Sequence, residues 1–444
     1  MKKSLLLLFA AFATLVASAQ TKVEIDGIWY NLYSEVMKAE VTNPDGSNKY
    51  SGSITIPTTV IYEGMIYAVT NIESPSFSYC RNITDITIPK SVTDIQHSAF
   101  EDCSSLKTIT IPEGVKNIGK FAFYNCSSLT TITIPASVKS IENDIYNGPT
   151  YTSLFGFSTR KIFSSGAFYG CSDLKAITVA EGNTVYDSRG GCNAIIETES
   201  NTLIAGCSAT IIPEGVTSIG SSAFDGCSSL TAITIPESVT SIGYWAFYEC
   251  TSLKDITIPA SVTSIEWGAF DGCSSLTAIT IPTSVTSIGR DAFSGTAWYD
   301  NQPDGMIYVG KVLYKYKGEM PENTTIEVKK GTVSIAGSAF EDCSSLTAIT
   351  IPEGATSIGN YAFRNCSSLK AITIPESVTS IGDDAFRGCS SLTAITCKAI
   401  TPPSECIHGT FHGCYGATLY VPATAVRAYK NTYPWSEFCS IKSL

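Results

Sequence analysis

Charge and histidine are scarce in this sequence. Charged residues make up 16% of its 444 positions, and there are 3 histidines, 5 methionines and 5 tryptophans. Low charge with abundant Thr, Ser and Ile favours strands over helices and an uncharged surface. The formal net charge is −11, and no Lys/Arg-rich run interrupts the acidic balance. Such a chain is a poor binder of nucleic acid or of an anionic membrane. No Gly-rich phosphate loop and no G-x-S-x-G elbow occurs. Carboxylates are scattered along the chain, as solvated turns require. No enzyme activity and no cofactor is therefore expected. Beyond the N-terminus no apolar run approaches the length of a membrane span.

The N-terminus reads MKKSLLLLFAAFATLVASAQ. Lys2 and Lys3 form a basic start, Leu5 to Val16 an apolar core, and Ala17-Ser18-Ala19 a small-x-small cleavage site. Cleavage before Gln20 and export are expected, which takes the charge to 27 − 40 = −13. The location expected is secreted, periplasmic or cell-surface. No Cys lies near the cleavage site to carry a lipid, and no apolar anchor or linker closes the C-terminus.

What the sequence has in excess is repetition. CSSLTAITIP occurs word for word at Cys227, Cys273 and Cys343. Cys80, Cys103 and Cys126 are 23 residues apart, as are Cys227, Cys250 and Cys273, and again Cys343, Cys366 and Cys389. An Ala-Phe pair keeps the same beat, from Phe100 to Phe386. In the unit from Cys227, Ile233 and Ile235 alternate with Thr234, which predicts a strand with one buried face. Pro236 cannot donate to a ladder and ends it. Val239 and Ile242 turn inward on a short extended return, Gly243 allows a tight bend, and Ala246-Phe247 drops a ring into the core. One unit buries too little to offset the ordering of its own backbone. Stacked units close the core between them.

The pattern L-x-x-I-x-I-P-x-x-V-x-x-I-G-x-x-A-F-x-x-C resembles the BspA-like leucine-rich repeats of bacterial surface proteins, known also from treponemes. The resemblance covers most of residues 75–422. It implies a mainly β fold with short helical turns: a right-handed leucine-rich-repeat solenoid of parallel β coils, with N- and C-terminal caps. It also implies adhesion, through binding of host matrix proteins or other bacteria. The organisation expected is a leader over 1–19, an N-terminal β cap over 20–74, the solenoid over 75–422 and a C-terminal cap over 423–444. Irregular coils fall at about 142–163, 180–210 and 297–325.

Of the 16 cysteines, ten recur at one repeat position. Stacked about 4.8 Å apart with parallel side chains, they are too distant for disulfides, and a buried small apolar side chain is expected at each. Cys192 and Cys207 lie off that column. They face each other across a hairpin centred on Glu199-Ser200, so a disulfide between them is possible. The run CIHGTFHGC gathers Cys406, His408, His412 and Cys414, residue types that suit zinc. Phe411 and Cys414, however, fall at the Ala-Phe and cysteine positions of the repeat to within two residues, and no metal is assigned.

Function is then left to the surface. Thr110, Thr133, Thr234, Thr257 and Thr280 should form an exposed column beside Lys107, Asp255 and Lys370. The column either answers the demands of an exposed strand or offers an extended face to a protein or glycan. GMIYVGKVLYKYKG predicts a hairpin around Gly310-Lys311. With Trp298, its Tyr308, Tyr314 and Tyr316 either anchor a partner or pack over a widened coil. The aromatic-rich stretch from Tyr146 to Phe163 is likewise a degenerate coil or a binding loop. A monomeric scaffold for a protein or glycan ligand is expected, and the competing class is a self-associating envelope protein.

Overall fold

The computed structural model describes residues 20–44, 49–142, 166–404, 406 and 409–444. The leader and the Tyr146–Phe163 stretch lie outside them. The described residues wind into a mainly β solenoid whose coils stack through parallel strand pairing. Two parallel ladders run along it. One is built from short Ile-Thr strands such as Asp255–Thr257 and Ala278–Thr280, paired in register. The other stacks two-residue Ser-Ile strands, Ser218–Ile219 on Ser241–Ile242 on Ser264–Ile265 on Ser287–Ile288. Alternation places each central Ile inward and each Thr outward, as at Ala371–Ile374. Pro236 closes the step between the ladders by accepting the Val239 N–H at 3.1 Å.

The Ala-Phe corner forms a third column. Phe224, Phe247, Phe270 and Phe293 stack with centroids 5.0–5.7 Å apart and planes within 9°. Further runs extend from Phe77 to Phe168 and from Phe340 to Phe411. Each corner is tied to the next coil through its backbone, as where Phe247 N–H donates to the Ala269 carbonyl at 2.8 Å. The corner requires left-handed backbone just before Ala-Phe (Trp245, φ 52°) and just before Cys (Asn365, φ 59°; Gly272, φ 76°). The Gly, Asn and Asp residues that precede most of the cysteines were the sequence signal for it.

Two expectations about the unit from Cys227 are corrected. Gly243 does not have a positive φ. A Cβ there would lie 2.8 Å from both Gly220 C and Ser221 N, so glycine is required by the close approach of neighbouring coils. Residues 231–236 do not form a strand, and Ile233 is only half-buried. The coil before them is rebuilt as a hairpin, Ala194–Glu197 against Thr202–Gly206. The chain that follows is drawn away, with Ile211 N–H donating to the Cys192 carbonyl at 3.0 Å. The ladder resumes in the next coil at Asp255–Thr257, which pairs with Ala278–Thr280.

Both hairpins stand in for coils. Thr202–Gly206 pairs in parallel with Ser218–Ile219, and Gly206 takes the Phe position, its N–H donating to Ala223 O at 2.7 Å. A Cβ on Gly206 would lie 2.2 Å from the Phe224 ring. Gly305–Val309 pairs antiparallel with Val312–Lys317, which then pairs in parallel with Ser334–Ile335. There Tyr316 takes the Phe position and donates its N–H to Ala339 O at 2.8 Å.

At the N-terminal end Gln20–Ile25, Ile28–Tyr33 and Lys38–Thr42 form an antiparallel meander, and Lys38–Thr42 joins Met65–Ile72 in parallel. At the other end Thr418–Val421 is followed by a short helix, Val426–Lys430, and a last parallel strand, Ser440–Ser443. Tyr429 is buried with its hydroxyl on Ala399 O at 2.9 Å, and Trp435 packs against Phe411 at 4.8 Å.

Candidate functional site

The threonine column is real and outward-facing. Thr110, Thr133, Thr234, Thr257 and Thr280 are all exposed, as are Lys107, Asp255 and Lys370. Thr257 pairs with Thr280 and Thr87 with Thr110, while the hydroxyls of Thr133 and Thr178 lie 2.9 Å apart. The column is interrupted at Thr234, where the ladder is absent.

The hairpin aromatics are placed differently from a row of free anchors. Tyr314 is 1% exposed, and its hydroxyl accepts the Phe293 N–H at 3.0 Å. Trp298 lies edge-on to Phe293 at 5.3 Å, on the short helix Ala297–Asp300 whose N-cap is Thr296. Tyr316 packs toward Phe340 at 6.4 Å. Tyr308 is half-buried, accepts the Lys329 N–H at 3.0 Å, and has the Lys329 ammonium 6.0 Å from its ring. Tyr316 stands at the Phe position and Tyr314 is fully buried, which makes Tyr314 a core residue where the sequence pointed to a possible partner anchor.

Cys192 and Cys207 are free thiols. The hairpin pairs Glu197 with Thr202, as a centre at Glu199-Ser200 requires. A bulge after Ile195 then shifts the register so that Ala194 faces Gly206. Continued outward, that shift sets Cys192 against Ser208. The two thiols enter separate core clusters, and their Sγ atoms turn to the Ala194 and Asn193 carbonyls respectively. Cys414 sits in the cysteine column with Sγ 3.0 Å from Phe386 O, whereas His412 is exposed. His408 lies outside the described residues. Among those residues no cluster of three or more His, Cys, Asp or Glu is arranged to hold a metal ion, and no helix is long and apolar enough to cross a membrane.

Burial is the main cause that raises several of the column thiols. Cys171 is pushed up to about 12, and Cys343, at the half-exposed end of its run, to about 11. The sequence reading missed a further surface, the edge formed by the residues between Ser-Ile and Ala-Phe. It carries Tyr244, Trp245, Trp267, Arg290 and Tyr361, with Trp245 and Trp267 at 5.1 Å and Arg290 within 6 Å of both the Trp267 and Tyr361 rings. Their repeat position marks them as a series, but the residue type changes at every coil.

The family model described as BspA type leucine rich repeat region matches residues 70–189, 203–302 and 313–434 in 6 copies. A leucine-rich repeat protein from Bacteroides ovatus is 26% identical in its crystal structure, with a TM-score of 0.41 over 95% of this chain and 99% of that one. One from Eubacterium ventriosum is 23% identical, with a TM-score of 0.44 over 82% and 93%. A leucine rich cell surface protein from Faecalibacterium prausnitzii is 21% identical, with a TM-score of 0.27 over 95% and 97%. No curated protein matches the chain.

Proposed function

The chain belongs to the BspA-type leucine-rich repeat family, and we propose that it is an exported, non-catalytic scaffold that binds a protein or glycan through the outer surface of its coils. The family is one of repeat scaffolds. The observation that carries the reading is the division between inside and outside. Ile, Phe and Cys recur at nearly every coil and are buried, whereas the threonine face is exposed and the turn edge keeps Tyr244, Trp267 and Arg290 partly exposed. An extended, weakly charged face offers contact area without the cost of desolvating charges. An adhesin-like role at the bacterial surface is part of this proposal, and the leader-like N-terminus supports it.

The test uses the full chain expressed with its leader, with N-terminal sequencing of the exported product, followed by binding to matrix proteins, mucin and glycan arrays and by mass measurement in solution. A product that begins at Gln20 and a monomer with a saturable ligand are expected. Retention of the leader would remove the export reading. Concentration-dependent oligomers with no ligand would replace the scaffold role with a self-associating structural one.

A further inference from the structure

The ladder of Ser-Ile strands has a seam. Ser287–Ile288 ends one sheet, and Ser334–Ile335 belongs to the next. They are bridged by one long backbone bond, Gly337 N–H to Ile288 O at 3.3 Å, where regular neighbours bond at 2.8–2.9 Å, and by the Ser334 hydroxyl donating to Thr286 O at 2.6 Å. Over this seam lies a groove of about 200 Å³. At roughly 30 Å³ per water molecule, that is the space of roughly six or seven waters, on the scale of one hexose ring. At the seam Gly337 holds the position filled by Tyr244, Trp267, Arg290 and Asn360 in other coils, and a Cβ there would lie 2.8 Å from the Arg290 backbone nitrogen.

The walls are chemically specific. Tyr244 and Trp267, both half-buried, stand on one side, and Asn360 and Tyr361 on the other. Glu266 lines the groove and accepts hydrogen bonds from Ser264 and Tyr244. Arg290 spans the seam. Its Nε lies 3.0 Å from Asp291 and its Nη2 3.3 Å from Glu341. Among the described residues, Nη1 is the guanidinium nitrogen left without an assigned partner. With two carboxylates already on Arg290 and a third carboxylate in the groove, there is no net positive charge to attract an anion. The hydroxyl- and amide-lined walls do not suit an apolar molecule. Aromatic side chains beside a carboxylate, a guanidinium and an amide suit a neutral molecule with an apolar C–H face and a rim of hydroxyls.

We propose that this groove is a saccharide-binding site, in which one sugar ring packs against Tyr244 and Trp267 and its hydroxyls bond to Glu266, Arg290 Nη1 and Asn360. The assignment rests on the reading of the chain as a binding scaffold and names the ligand class and place. It differs from the threonine face and from the hairpin as a location.

The experiment titrates the full chain with neutral oligosaccharides of glucose, xylose, galactose and N-acetylglucosamine, read by calorimetry and tryptophan fluorescence. The test variants are Tyr244→Ser with Trp267→Ser, and separately Glu266→Gln. The serines reproduce what the chain already carries at Ser221, and the glutamine what it carries at Gln96, so folding is expected to survive and is checked by thermal melting. Saturable binding by at least one sugar is expected, lost at least tenfold in the double variant and severalfold in Glu266→Gln. Failure of every sugar to bind the unsubstituted chain, or binding that persists in the double variant, overturns the assignment. A chain that captures a protein but no saccharide sinks this inference alone, whereas a chain that binds neither also sinks the scaffold reading.

Discussion

The Sγ of Cys250 lies 3.1 Å from the carbonyl oxygen of Phe224, one coil earlier. The same contact joins Cys273 to Phe247 at 3.0 Å, Cys366 to Phe340 at 3.1 Å and Cys389 to Phe363 at 3.1 Å. The Phe224 carbonyl also accepts the Cys227 N–H at 3.0 Å, which closes its own turn. The thiol thus supplies a second, weak donor to an oxygen that is already buried, at no cost in volume. Alanine has no donor, and valine has neither a donor nor the room. This explains why cysteine, and not merely a small residue, recurs at the corner.

Cys250→Ala is expected to destabilise the chain by about 1–2 kcal/mol, from one lost weak hydrogen bond and a small void. Cys250→Leu should cost about 1–3 kcal/mol through overpacking of a fully buried position. Denaturant unfolding of the variants checks both. An alanine variant as stable as the original would show that the Sγ–carbonyl contact contributes nothing.

The buried thiols also set an alkaline limit. Burial raises Cys103, Cys126, Cys227 and Cys250 above the ordinary thiol value, Cys171 to about 12 and Cys343 to about 11. The unfolded chain therefore releases these protons first. Their contribution is fully present below the unfolded value, 9.0, and is lost as pH rises through it toward the folded values. Each thiol removes roughly 1.4 kcal/mol per pH unit within that window. Melting temperature should be insensitive to the thiols at pH 7–8 and fall steeply from about pH 9, while native-state labelling stays confined to Cys439 and partly exposed Cys343. Rapid native labelling of Cys126 or Cys250 would contradict the buried column.

Much of the solenoid was legible because its signals are local and repeated. The Ile-x-Ile alternation, the Ala-Phe corner and the cysteine beat each mark one buried column. The hairpins were legible from their turn residues. What escaped was set by neighbours. Residues 231–236 carry the same letters as paired strands elsewhere, yet form no strand between the first hairpin and Asp255–Thr257. The register of Cys192 and Cys207 turned on a single bulge at Ile195. The groove over the seam lies where the Gly337 backbone closely approaches Arg290, a contact that exists only once the two coils are brought together.

The glycines separate two causes that look alike in sequence. Gly243→Ala pushes a Cβ into the backbone of Gly220 and Ser221, and should cost about 1–3 kcal/mol. Gly416 has no atom within 4 Å of the same construction and no positive φ. Gly416→Ala should be neutral or stabilise by about 0.4–1 kcal/mol, because it restricts the unfolded chain. Chemical denaturation of the pair measures the difference. Equal costs would mean that coil spacing relaxes freely and that the glycine column is not a packing requirement.

Tyr308 and Tyr314 give the sharpest test of how the second hairpin is built. They sit six residues apart on facing strands, and sequence gives no reason to treat them differently. Tyr314 is fully buried against Phe293 at 5.4 Å and Tyr299 at 6.1 Å, and its oxygen is the acceptor for the Phe293 N–H. Burial raises its phenol far above the ordinary value. Removing it opens a cavity and leaves an unpaired N–H, so Tyr314→Ala should cost about 3–5 kcal/mol, and Tyr314→Phe about 1–3 kcal/mol from the orphaned donor alone. Tyr308 is half-exposed, and Tyr308→Ala should cost under about 1 kcal/mol. If the hairpin were a surface loop carrying partner anchors, both alanine variants would melt like the original chain and differ only in binding. Stability by circular dichroism, measured before any ligand is added, separates the two, and a stable Tyr314→Ala would restore that residue as a candidate contact.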